Sequence, residues 1–112
     1  MMIYHKKIEK KEINPGVVWQ YLFKGGEQIM GYHWNMADGS KVEMHTHDSE
    51  QLGYCIKGGF IIIEDGKEYE IGAGDGYIIP ANVPHSFVAV GDTEAIDLFH
   101  PLREILPDGN PA

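Results

Sequence analysis

Cysteine occurs once in these 112 residues, at Cys55, so no disulfide can close within the chain. Nothing therefore calls for an oxidising compartment, and the expected home is the reducing cytoplasm. Cys55 stands in an apolar stretch and reads as a small buried hydrophobe. Basic residues are scarce: nine Lys and Arg face seventeen Asp and Glu, a formal charge of −8. Nucleic acid and anionic membrane surfaces are gripped by clustered cations, so neither is an expected partner. A small anionic ligand stays open, because one local Arg or a bound cation reverses the sign inside a pocket. No apolar run approaches the ~18 residues of a membrane-spanning helix. The charged N-terminus lacks the apolar core of a secretory signal. Helical periodicity is nearly absent; the candidate at 102–106 is too short to matter.

What is abundant is turn chemistry. Fourteen Gly and six Pro punctuate short runs rich in β-branched and aromatic residues. The runs fall at 17–24, 28–36, 52–57, 60–64, 67–71, 77–79, 85–90 and 94–99. Asp65-Gly66 between two of them is a strong hairpin signal. Gly91-Asp92-Thr93 suggests a second hairpin. Such spacing predicts an all-β sandwich or barrel in a single domain, 1–112. Residues 1–13 form a charged arm or short edge strand, and 107–112 a loose tail.

The histidines carry the chemistry. His45 and His47 share a face if both lie on one strand, and Gln51 has the same parity. Glu50 has the opposite parity. His85 follows Pro84 at the start of a later run. Imidazole nitrogens are good ligands for first-row divalent metals. Two His on a strand face are more often a surface feature, so the surrounding spacing has to decide.

That spacing resembles the cupin superfamily. Gly39, five residues, His45-Thr46-His47, three residues, Gln51, six residues, Gly58 resembles the first cupin motif. Gly74, five residues, Pro80-Ala81-Asn82, two residues, His85 resembles the second. The resemblance implies a double-stranded β-helix, a jelly-roll-like barrel. It implies one divalent transition metal ion (Ni, Zn, Fe, Co, Cu or Mn) on His45, His47, Gln51 and His85, and a homodimer. Gln51 stands where the family usually has Glu, Asn82 where it has Gly, and Ala89 where it has Asn. Asn tolerates positive φ, so the turn survives. A neutral amide leaves the ion its full charge, which suits a Lewis acid or anion clamp better than a redox iron site.

A second group lies near the C-terminus. On a strand, Asp97 and Phe99 share one face while Ile96 and Leu98 share the other. Pro101 ends that strand, so Arg103 could fold back over a pocket mouth. Taken alone, Asp97 and Arg103 read more simply as a surface ion pair and Phe99 as core. The run Asp97-x-Phe99-x-Pro101-x-Arg103, with Glu50-Gln51 and Asn82-Val83-Pro84-His85, resembles the KdgF group of pectin-degradation cupins. That resemblance implies catalytic or substrate-binding roles for Asp97, Phe99 and Arg103. The implied activity converts 4,5-unsaturated uronate monosaccharides, a small anionic sugar substrate, to linear ketonised 4-deoxy-5-keto uronates. Alternatives on the same scaffold are a dioxygenase or isomerase, or a non-catalytic sugar- or anion-binding module. Tyr77, Trp34, His33 and Gln28 are further candidates to line the cavity, although core packing is the simpler role for Tyr77 and Trp34. His5 and His100 are expected to be exposed.

Overall fold

The computed structural model describes residues 1–23 and 26–103. The tail at 107–112 lies outside them, as does most of the helical candidate at 102–106. After a short 3-10 turn, His5–Lys7, come ten strands. They are β1 Lys11–Asn14, β2 Val17–Phe23, β3 Met30–Met36, β4 Lys41–His45, β5 Glu50–Lys57, β6 Gly59–Glu64, β7 Lys67–Gly72, β8 Gly76–Ile79, β9 His85–Ala89 and β10 Thr93–His100. No helix among the described residues is long and apolar enough to cross a membrane.

The strands form two antiparallel sheets, β1-β2-β3-β10-β5-β8 and β4-β9-β6-β7. Period-two burial shows which side of each strand faces the space between them. In β10 the buried residues are Thr93, Ala95, Asp97 and Phe99; in β5 they are Gln51 and Cys55. The core is aromatic. Tyr32 packs at 4.9 Å from Trp19, 5.6 Å from Trp34 and 5.1 Å from Phe99, centroid to centroid. Each such pair contributes about 0.5–1.5 kcal/mol beyond the area it buries. Cys55 is fully buried and unpaired with any other cysteine.

Asp65 and Gly66 both take positive φ, 50° and 76°, the geometry of a two-residue hairpin, and they join β6 to β7. Gly91-Asp92-Thr93 does something else. β9 pairs with β4 and β6, whereas β10 pairs with β3 and β5, so this loop crosses between sheets. The expected hairpin there is therefore corrected. The loop is tied to another turn instead: Gly91 N–H donates to Asp38 Oδ1 at 2.8 Å, and Asp38 N–H to Asp92 Oδ1 at 3.1 Å. The N-terminal arm is partly ordered. Its strand β1 pairs along the β2 edge, and Gln20 Nε2 donates to the His5 and Ile8 carbonyls.

Candidate metal centre

His45 ends β4 and His85 opens β9, and the antiparallel register sets the two directly opposite. Their ring centroids are 4.2 Å apart. His47 does not continue the strand. β4 stops at His45, and the following loop turns His47 back toward the other two rings, at 5.5 and 4.8 Å. Shared strand parity is thus not what unites His45 and His47; the loop between β4 and β5 does that. Gln51, second in β5, points inward from the other sheet, and Glu50 beside it is exposed.

The wiring of the rings fixes their protons. His45 Nδ1 lies 2.8 Å from Glu43 O, His47 Nδ1 2.9 Å from Ser49 O, and His85 Nδ1 2.8 Å from Val83 O. A carbonyl only accepts, so each Nδ1 carries the hydrogen and each Nε2 presents a lone pair. The fully buried Ser49, which sequence reasoning passed over, also places its Oγ 3.0 Å from His47 Nδ1. His45 Nε2 and His85 Nε2 are buried with no hydrogen-bond partner among the described residues. Ligand atoms of the three rings all fall within 4.8 Å of one another. Gln51 Oε1 lies 3.2 Å from His47 Nε2, one acceptor facing another. Unpaired buried acceptors cost about 1–3 kcal/mol each, and one cation among these four relieves them together. The residues fit a divalent metal.

Burial supplies the matching electrostatics. It lowers His45 and His85 to about 4, and it holds His47 below the usual imidazole range. The rings are neutral at pH 7, the form that binds metal.

Asp97 sits beside this cluster, 4% exposed. Burial raises its carboxyl to about 6, against hydrogen bonds from Tyr77 and Gln51 and the charge of Arg103, all of which favour the ionised form. The Trp34 indole acts in the same direction without completing a hydrogen bond. Gln51 thus turns its amide nitrogen toward Asp97 and its oxygen toward His47. Arg103 is the chain's only arginine and is 7% exposed. Its guanidinium lies 5.3 Å from the Phe99 centroid and 5.9 Å from that of Tyr32, and its backbone N–H donates to Met30 Sδ. Neither Asp97 nor Arg103 is at the surface, so the surface ion pair is ruled out. Phe99 is buried beneath the site, edge-on to His47 at 5.5 Å. A narrow pocket is lined by His45, Gln51, Trp34, Tyr77, Asp97 and Arg103, with Phe60 and Phe87 among its apolar walls.

Two cavity candidates fall elsewhere. His33 points out of the barrel, its Nε2 2.6 Å from Glu94 Oε2 and its Nδ1 3.0 Å from His5 Nε2. That contact also half-buries His5, which was expected to be exposed. Gln28 lies exposed before β3. Trp34 and Tyr77 do line the pocket, and His100 is exposed.

A family profile described as "Cupin domain" matches residues 32–99, well over half of the chain. The chain belongs to the cupin family. This cupin superposes on KdgF from Halomonas sp. with a TM-score of 0.82 and 25% identity, covering 93% of this chain and 94% of that one. It superposes on an RmlC-like cupin from Shewanella frigidimarina with a TM-score of 0.84 and 26% identity, covering 92% of each chain. It is also 35% identical over 66 residues to polyketide synthase CurC of Streptomyces cyaneus, covering 58% of this chain and 43% of that protein. The cupin thus spans less than half the length of that curated relative.

Proposed function

We propose that this cupin opens 4,5-unsaturated uronate monosaccharides, of the kind released from pectin or alginate, to linear 4-deoxy-5-keto uronates. The observation that carries the reading is the placement of a buried carboxyl and the only guanidinium in one pocket with His45, one of three clustered neutral imidazoles. Similarity to KdgF over nearly the whole of both chains supports it.

The reaction is an isomerisation. The hemiacetal hydroxyl loses its proton, the C1–O5 bond breaks with its electron pair going to O5, and C4 gains a proton as the enol becomes a ketone. A divalent ion on His45, His47, Gln51 and His85 supplies Lewis acidity toward a substrate oxygen when bound. Arg103 takes the substrate carboxylate, for which a planar guanidinium offers two parallel donors. Asp97, raised to about 6, can accept the hydroxyl proton and return one to carbon at neutral pH. Phe99 supports both His47 and Arg103 from below.

With metal-loaded protein, the ultraviolet absorbance of an unsaturated monouronate is expected to fall well ahead of its spontaneous decay. Decay at the protein-free rate overturns the proposal. The similarity to CurC favours a second substrate class, a polyketide-derived ring held by the aromatic walls. The two readings part at Arg103→Leu, which disables capture of a carboxylate and spares a ring that lacks one.

A homodimer is proposed on the outer face of the larger sheet. Leu52, Tyr54, Ile56 and Ile78 stand exposed there, a contiguous apolar row of the kind that marks an interface. A symmetric pairing would set the row against itself. Light scattering is expected to give a two-chain mass, reduced to one chain by Tyr54→Lys; a wild-type monomer removes the proposal.

A further inference from the structure

The pocket contains a second feature that metal ligation does not explain. Three residues from three strands share one register row. Asp97 on β10 is opposite Gly53 on β5, and Gly53 is opposite Tyr77 on β8. Adjacent strands lie ~4.8 Å apart, so Asp97 and Tyr77 are separated by a whole strand. Their side chains nevertheless meet: Tyr77 O–H donates to Asp97 Oδ1 at 2.7 Å. The contact exists because Gly53 has no side chain. A Cβ at that position would fall within the Tyr77 ring and against Asp97 Oδ1. The phenol lies across the strand in the gap that the glycine leaves. Phe87 and Phe60 hold the ring from the opposite sheet, at 5.7 and 6.3 Å.

We propose that Tyr77, seated over Gly53, is a positioning residue that fixes the orientation of the Asp97 carboxyl toward the metal centre. The inference rests on the reading of Asp97 as the proton-carrying group. A tyrosine present only to fill the core would need its ring and not its hydroxyl. Here the hydroxyl ends on a buried carboxylate, and hydrogen bonds to charged acceptors are the stronger kind. The Tyr77 donor pins Oδ1, beside the Gln51 amide that also donates to this carboxyl. Gly53 is then required for catalytic geometry and cannot be exchanged freely within a strand, where glycine is otherwise a weak choice.

Tyr77→Phe keeps the ring and removes one O–H, so it tests the hydroxyl with the packing retained. In zinc-loaded, diamagnetic protein, the Asp97 α–β proton couplings are read by NMR. They are expected to report one rotamer in the wild type and an average over rotamers in Tyr77→Phe. Turnover of the unsaturated monouronate should lose about tenfold in kcat with KM within twofold and metal content unchanged. Unchanged couplings in the variant overturn the proposal. Averaged couplings with an unchanged kcat overturn its catalytic part. Averaged couplings in a protein whose wild type does not turn over the monouronate leave the positioning role standing and bring down the uronate reading. Tyr77→Leu removes ring and hydroxyl together, and a kcat loss there with none in Tyr77→Phe assigns the effect to packing and overturns the proposal.

Discussion

Asp97→Asn is expected to lower uronate turnover by about 10²–10⁴, the usual contribution of a positioned acid–base group, with a full metal content. The substitution is nearly isosteric. An asparagine oxygen still accepts from Tyr77, so the row Asp97–Gly53–Tyr77 keeps its shape. What disappears is the group that can hold and release a proton. The first step of the proposed reaction needs the ionised carboxyl to accept the hemiacetal proton, and burial raises its pKa to about 6. Wild-type kcat/KM is therefore expected to rise as pH passes through about 6 and to level above it. Metal analysis beside a pH–rate profile checks both halves. Full activity in Asp97→Asn removes Asp97 from the mechanism.

His85→Ala should weaken metal binding by more than about 100-fold, since it deletes a ligand rather than one of the outer partners whose loss costs about 10–100-fold. The pH at which metal leaves the wild type carries a second test. An ordinary imidazole takes up a proton near 6.5. Burial holds His45 and His85 at about 4, so protons compete for their Nε2 atoms only near that value. Occupancy after dialysis is expected to persist at pH 5 and to collapse near pH 4. Release between pH 6 and 7 would show that these rings are not held neutral by their surroundings. Chelation at pH 7 should lower the melting temperature, because an ion that binds only the folded chain stabilises it by RT ln(1 + c/Kd) at free ion concentration c.

Local chemistry was legible in the sequence and long-range register was not. Asp65-Gly66 announced its hairpin, and Asn82, at φ 64°, takes the conformation expected where cupins have glycine. The set His45, His47 and His85 was readable because its spacing survives in linear order. The reason His47 joins that set was not, because the end of β4 depends on its pairing with β9. Period-two alternation told correctly that Asp97 and Phe99 share a face. It could not tell that this is the barrel interior and that Ile96 and Leu98 lie on the outside, half-buried. Gly91-Asp92-Thr93 has hairpin composition yet crosses between sheets, since composition specifies a turn and not the partner of the strand that follows. The contact between Tyr77 and Asp97 lay furthest out of reach. It depends on three positions brought into one row by two separate strand pairings, and its enabling residue, Gly53, is defined by a side chain it lacks.

The four candidate ligands also belong to different layers of the fold. His45 and His85 are on the four-stranded sheet, Gln51 is on the six-stranded one, and His47 is on the loop between β4 and β5. An ion held by all four acts as a rivet through the sandwich at one end. Without it, those layers are joined there by side-chain packing, by the β4–β5 and β8–β9 connections and by the Asn82 N–H bond to the His47 carbonyl. Opening of the empty protein should therefore begin at the riveted end and spread along β4 and β9, while the end tied by Asp38 and Gly91 stays shut. The candidate metal centre is in this sense also a clasp for the barrel.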